Sequence, residues 1–207
     1  MMHARHIFSV SAVLGAAVCL VPGCSAPTIP TSYGWFNARD GVVACKFPEG
    51  WTRKGGGGAK FYSCAFESGS ARIRLMSDIA GSAMGDIAQS AGGMMGLDDL
   101  GLDSELAQEL SPVAQVHEMS LQQAQNDLGD LQVVATETIR TGFGDTRRTE
   151  FTVAGSLRGT TRGYLVTALG HDQRIRVLCT CPERYWPQLQ GVFDEVIGSL
   201  ERGQVEL

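Results

Sequence analysis

Four cysteines, Cys45, Cys64, Cys179 and Cys181, are the residues in this sequence best suited to chemistry. Thiols can bridge, bind metal or pack as small apolar groups. Cys45 lies on the alternating segment Gly41–Phe47, with Val43 and Phe47 on its face, and Cys64 lies on Ala59–Phe66, with Tyr62 and Phe66. Paired as a hairpin, these segments would bring the two thiols to cross-strand separations of about 5.5 Å, within reach of a disulfide. Cys179 and Cys181 are two apart on one extended face, roughly 6.5–7 Å from each other, at or past the bridging limit. Pro182 holds Cys181 extended, which works further against that bridge. Cross-pairing with the early cysteines is the alternative. A four-thiolate metal or redox module is the sharper hypothesis, but C-x-C plus two lone cysteines is not a zinc-ribbon spacing. Buried thiols behaving as small apolar residues are the plain reading.

The other chemical residues form no set. His117 is followed by Glu118, but the second histidine of a zinc-binding H-E-x-x-H is absent. His171 and Asp172 are adjacent on a turn, where neighbours rarely face each other. No G-x-S-x-G nucleophile elbow occurs. Asp98, Asp99, Asp103 and Glu105 lack the spacing of a calcium loop and read as helix caps and a solvated face. The expectation is a protein that is not an enzyme and carries no cofactor or metal. Seven arginines (Arg140, Arg147, Arg148, Arg158, Arg162, Arg174 and Arg176) crowd the C-terminal half. They could meet an acidic partner, or simply solvate a face balanced by Glu137, Glu150 and Asp172. Arg174 and Arg176, with Met94-Met95 between glycines, are the candidate partner-binding residues; core filling is the plainer reading of the methionines. With 17 Lys and Arg against 22 Asp and Glu, the formal charge is −5. A net acidic chain argues against a general nucleic-acid binder.

The elements that must carry these residues follow from periodicity. Strands are expected over Gly41–Phe47, Ala59–Phe66 and Ala71–Met76, with Lys54–Gly58 a flexible glycine loop. Ser82 to about Ala91 reads as a short helix, and residues 97–110 as loosely helical. Ser111-Pro112 is a helix start, cap then proline, and Gly129 a stop. Four strands follow: Leu131–Arg140, Arg147–Ala154, Thr160–Leu169 and Gln173–Thr180. Pro182–Leu200 closes the chain as a helix, after one irregular turn because of Pro187. Its stripe is Trp186, Leu189, Val192, Phe193, Val196, Ile197 and Leu200. Segregated strands and helices predict a single α+β domain over residues 38–207, built on an antiparallel sheet of six or seven strands.

The N-terminus reads as an address. Arg5 precedes an apolar run from Ile7 to Val21, shorter than the roughly 20 residues of a membrane-spanning helix. That pattern is an export signal. Val21-Pro22-Gly23-Cys24 resembles the lipobox of bacterial lipoprotein precursors. The resemblance implies cleavage after Gly23 and acylation of Cys24, so residues 1–23 form the signal peptide. Multiple acyl chains suffice for stable membrane attachment. Residues 24–37 then read as the lipidated cysteine and a Ser/Thr/Pro-rich tether. With Ser25 rather than Asp after the cysteine, the resemblance further implies the outer membrane if the cell is Gram-negative. Export also places the cysteines where disulfides are admissible.

Particular motifs lie along the predicted strand and helix order. Phe47-Pro48-Glu49-Gly50-Trp51 ends the first strand, and Gly155…Gly159 joins two later ones. Cys181-Pro182…Trp186-Pro187…Phe193…Ile197-Gly198-Ser199-Leu200 closes the domain. In these features residues 38–202 resemble the PsbP/Mog/DcrB-like family. The resemblance implies a sheet sandwiched between helices, and a protein that docks on partners rather than catalyses. No catalytic residues come with it. The surfaces through which members meet photosystem II or the GTPase Ran have no matching motif here, so those partners are not implied. The expected function is a membrane-anchored, non-catalytic protein-binding or structural module of the cell envelope, its partner another envelope protein. A four-cysteine metal or redox module and a small-ligand carrier are the alternatives.

Overall fold

The computed structural model describes residues 25–79, 111–155, 159–170 and 173–205. Cys24, the signal peptide, Met94, Met95, the helices read over 82–110, Arg158, and the His171-Asp172 pair lie outside the described residues. Within them the chain forms nine strands, two α-helices and one 3-10 turn. The strands are β1 (Tyr33–Asn37), β2 (Ala44–Pro48), β3 (Thr52–Gly55), β4 (Ser63–Ser68) and β5 (Ala71–Ile79), then β6 (Leu131–Thr141), β7 (Gly144–Val153), β8 (Thr161–Leu169) and β9 (Gln173–Pro182). Helix α1 (Pro112–Leu128) separates β5 from β6, and the 3-10 turn Glu183–Tyr185 leads into α2 (Trp186–Gly198).

Seven strands form one antiparallel sheet in the order β3-β4-β5-β9-β8-β7-β6. The helices lie on opposite faces, as expected of the α+β sandwich. The central strands explain why. From Gly163 to Ala168 every residue of β8 is buried, because alternate side chains meet different layers. Tyr164, Val166 and Ala168 join the α2 core, whereas Leu165 joins Leu121, Ala124, Leu131 and Phe151 under α1.

Both helices start where the sequence placed them. Ser111 caps α1 with its hydroxyl accepting from the Ala114 amide, Pro112 occupies the first turn, and Gly129 closes the helix at φ 91°, a backbone region that favours glycine. Pro182 ends β9, the 3-10 turn absorbs the change of direction, and Pro187 sits in the first turn of α2, where its missing N–H is harmless. Leu189, Phe193, Val196 and Ile197 are then fully buried, each worth roughly 1.5–3 kcal/mol of apolar transfer.

Two features differ from expectation. Residues read as tether enter the domain: Tyr33–Asn37 is strand β1, paired antiparallel with β2. Phe36 points inward and is buried. Lys54 and Gly55, read as loop, belong to β3, which pairs with β4. The 41–47/59–66 hairpin is therefore not formed. β1 occupies the pairing positions of β2, and β3 and β5 those of β4. Their shortness and their neighbours hid both strands: β1 follows a Ser/Thr/Pro-rich stretch and β3 runs into a glycine run. Among the described residues no helix is long and apolar enough to cross a membrane.

Candidate functional site

The four thiols converge on the α2 side of the sheet. Cys45 reaches it from β2, Cys64 from β4, and Cys179 and Cys181 from β9, all into one apolar core. They are free in the structure and buried, and the hairpin from which a Cys45–Cys64 bridge was expected is not formed. The two residues sit on strands that do not pair with one another. Burial pushes all four thiols up: Cys64 to about 11 and Cys181 to about 12, with Cys45 and Cys179 also raised well above the ordinary thiol range. For Cys45 the neighbouring Cys64 adds to the effect, and for Cys179 so do Asp194, Cys181 and Cys45. Protonated, water-excluded thiols are poor nucleophiles and poor metal ligands. Among the described residues no group of three or more His, Cys, Asp or Glu side chains is arranged to hold a metal ion.

His117 is sealed on the other face. From α1 its Nε2 lies 2.7 Å from the Thr149 hydroxyl and its Nδ1 2.9 Å from that of Thr167. Thr149 in turn contacts the Thr136 hydroxyl at 2.8 Å. Burial, reinforced by the Arg147 charge, lowers its pKa to about 4. Neutral imidazole has one donor and one acceptor nitrogen, which suits a pair of rotatable hydroxyls. This is a structural crosspiece between helix and sheet.

The arginine cluster is largely spent within the fold. Arg148 pairs with Glu137 at 2.5 Å and Asp194 at 2.6 Å, and Arg162 pairs with Glu150. Arg148 also stacks 4.6 Å over Tyr164, and Arg162 5.0 Å over Trp186. Arg174 and Arg176 share Asp78 at 2.6 and 2.8 Å. Arg176 is 7% exposed and also donates to Gln123. The two arginines proposed to greet a partner are drawn onto Asp78, which stands on β5 opposite Arg174 in the register.

The surface feature that sequence reasoning missed is Trp35. Alternation along β1 turns Phe36 into the core and leaves Trp35 51% exposed on the outer face of the β1–β2 ribbon. The C-terminal segment flanks it. Ala44 and Glu201 exchange backbone hydrogen bonds of 2.8 and 3.0 Å. Asn37 donates to the Gln204 carbonyl at 2.8 Å and accepts from its amide at 3.0 Å. Between them lies a cleft of about 170 Å³ lined by Trp35, Asn37, Ala44, Glu201 and Gln204. A second cleft of about 190 Å³, lined in part by Asp40, Phe143, Gln173 and Arg202, lies at one end of the sheet. Both fall short of the roughly 300 Å³ at which small-molecule sites begin. A half-exposed tryptophan beside a shallow notch with a carboxylate on its rim suits a protruding side chain of another protein. The alternation Tyr33-x-Trp35-x-Asn37 around Phe36 was the signal available in the sequence.

No protein-family model matches the sequence, and no curated protein matches it. Solved structures do. The solution structure of cyanobacterial PsbP (CyanoP) from Synechocystis sp. PCC 6803 matches 88% of this chain and 98% of its own at 14% identity, with a TM-score of 0.53. The Ran-binding protein Mog1p of Saccharomyces cerevisiae matches 84% of this chain and 96% of its own at 9% identity, with a TM-score of 0.49. The likeness to CyanoP shows that the chain has the PsbP-like fold.

Proposed function

We propose that this protein is a lipid-anchored, non-catalytic binding module of the cell envelope. In this reading it is attached through acylated Cys24, on the outer membrane if the cell is Gram-negative, and docks another envelope protein on the β1–β2 face around Trp35. The observation that carries the docking site is Trp35 itself: an indole half exposed on a ribbon whose neighbours are fixed from both sides by backbone hydrogen bonds. A preorganised aromatic loses little conformational freedom on binding, so its buried area converts efficiently to affinity. The non-catalytic reading is supported by the thiols and His117, whose surroundings hold them uncharged and away from solvent at neutral pH.

A photo-crosslinking residue at position 35, with exposed Lys60 as the control position, tests the proposal in intact cells. One discrete adduct at position 35 and none at 60 is expected, lost when unlabelled wild-type chain competes and kept when the competitor is Trp35→Ala. Equal labelling at both positions, or none at either, would overturn the docking face.

A further inference from the structure

The segment following Cys24 does not behave as a tether. Pro27 is buried. The Thr28 amide donates to the Ser68 hydroxyl at 2.8 Å, and the Trp51 indole N–H donates to the Thr28 carbonyl at 3.0 Å. Ser32 binds the Glu49 carboxylate through its hydroxyl at 2.5 Å, and its carbonyl accepts from the Glu49 amide at 3.1 Å. Closest to the anchor, Ser25 and Ala26 cross the β4–β5 turn at Gly69. Gly69 has φ 53°, and a Cβ there would collide with the Ser25 carbonyl oxygen, so the turn is shaped around the passing chain.

Ser25 thus lies on the domain, and Cys24 is one peptide unit away, about 3.8 Å between Cα atoms. A sequence reading of residues 25–34 as free chain would give roughly 30 Å of reach; the docked segment leaves almost none. The end of the sheet at that point carries the β4–β5 turn, the start of β3, the end of β9 and the 3-10 turn Glu183–Tyr185. The opposite end carries the β6–β7 turn, the start of β9 and the cleft between Asp40, Phe143 and Gln173.

We propose that the β4–β5 turn end of the domain is a membrane-facing surface, seated against the lipid headgroups by the docked segment Ser25–Ser32, with the Asp40/Phe143/Gln173 end pointing away. This rests on the lipidation of Cys24 proposed above. The nine residues of β5 set the ends about 30 Å apart at roughly 3.4 Å per residue. Trp35 stands part-way up the side, where a neighbouring envelope protein can reach it.

The test uses the full chain, expressed in a lipoprotein-processing bacterial host and reconstituted in phosphatidylcholine vesicles containing headgroup-nitroxide lipid. An environment-sensitive fluorophore is placed either at Arg184→Cys, exposed at the near end, or at Asp145→Cys, exposed at the far end. The near-end probe should be quenched several-fold more than the far-end probe. Ser68→Ala combined with Trp51→Phe, which removes both hydrogen bonds to Thr28, should narrow that difference. Vesicle-bound, acylated protein whose two probes are quenched alike would overturn this orientation while leaving the anchor intact. Protein that neither floats with vesicles nor gains acyl mass would overturn the anchoring reading and this proposal with it.

Discussion

The two faces of the sheet are built from different materials. The α2 face is apolar and aromatic: Tyr164 meets Trp186 edge-on at 4.9 Å, Trp186 meets Phe193 at 6.0 Å, and the four thiols fill the spaces between aliphatic neighbours. Its polar groups sit at the rim, where Arg148 and Arg162 cover the rings and are neutralised by acids. The α1 face buries a smaller apolar patch and, beside it, His117, Ser120, Thr149, Thr167 and Arg176. Among the described residues the Arg176 Nε is buried without a hydrogen-bond partner, an arrangement that costs free energy. The same sheet therefore presents one face that needs only volume and another that needs hydrogen bonds in fixed places. The first is insensitive to pH near neutrality; the second is not.

The largest effect should come from the α2 face. Phe193→Ala leaves a cavity among fully buried neighbours and should cost about 3–5 kcal/mol in chemical denaturation. Leu121→Ala, under α1 and close to polar groups, should cost less, about 2–3 kcal/mol. Equal losses would erase the contrast. Next in size, His117→Ala strands the Thr149 and Thr167 hydroxyls and should cost about 2 kcal/mol. The histidine also gives the α1 face its pH dependence. Its folded pKa, about 4, lies below the ordinary value of 6.5. The neutral form is thus favoured by folding, and its contribution is fully present above pH 6.5. Stability should fall as pH drops from 6.5 towards 4, by roughly 1 kcal/mol per unit. His117→Ala should flatten that slope, and an unchanged slope would assign it to carboxylates instead. Smallest of all, Lys46→Ala breaks an exposed pair with Glu195 and should change stability by no more than about 1 kcal/mol.

Much of the fold was legible because its longest elements carry strong local signals. Ser111-Pro112 and Gly129 bracket α1 without help from tertiary contacts, and the Trp186–Leu200 stripe can only be a buried helix. The strands β6 to β9 are each nine residues long or more. β1 and β3 were hidden because they are short, border a Ser/Thr/Pro-rich stretch and a glycine run, and exist by pairing with β2 and β4. The hairpin behind the Cys45–Cys64 expectation was misread for the same reason: it depended on which strand pairs with which, and β1 and β3 change that answer. Of the acids read as balancing the arginines, Glu137 and Glu150 do pair with Arg148 and Arg162; Asp78 was not foreseen because, opposite Arg174 across β5 and β9, it lies almost a hundred residues away in the chain. Burial of His117 was equally invisible, since nothing local distinguishes a histidine facing two threonines from one facing water. Trp35 was overlooked by assigning it to a tether.

Amide hydrogen exchange, followed residue by residue at pH 7 and pH 5, compares the two faces most directly. The account predicts that α1 amides open at a lower free energy than α2 amides at pH 7, and that the gap widens at pH 5 as His117 is driven towards protonation. Helices that exchange together, with a gap unmoved by pH, would contradict it.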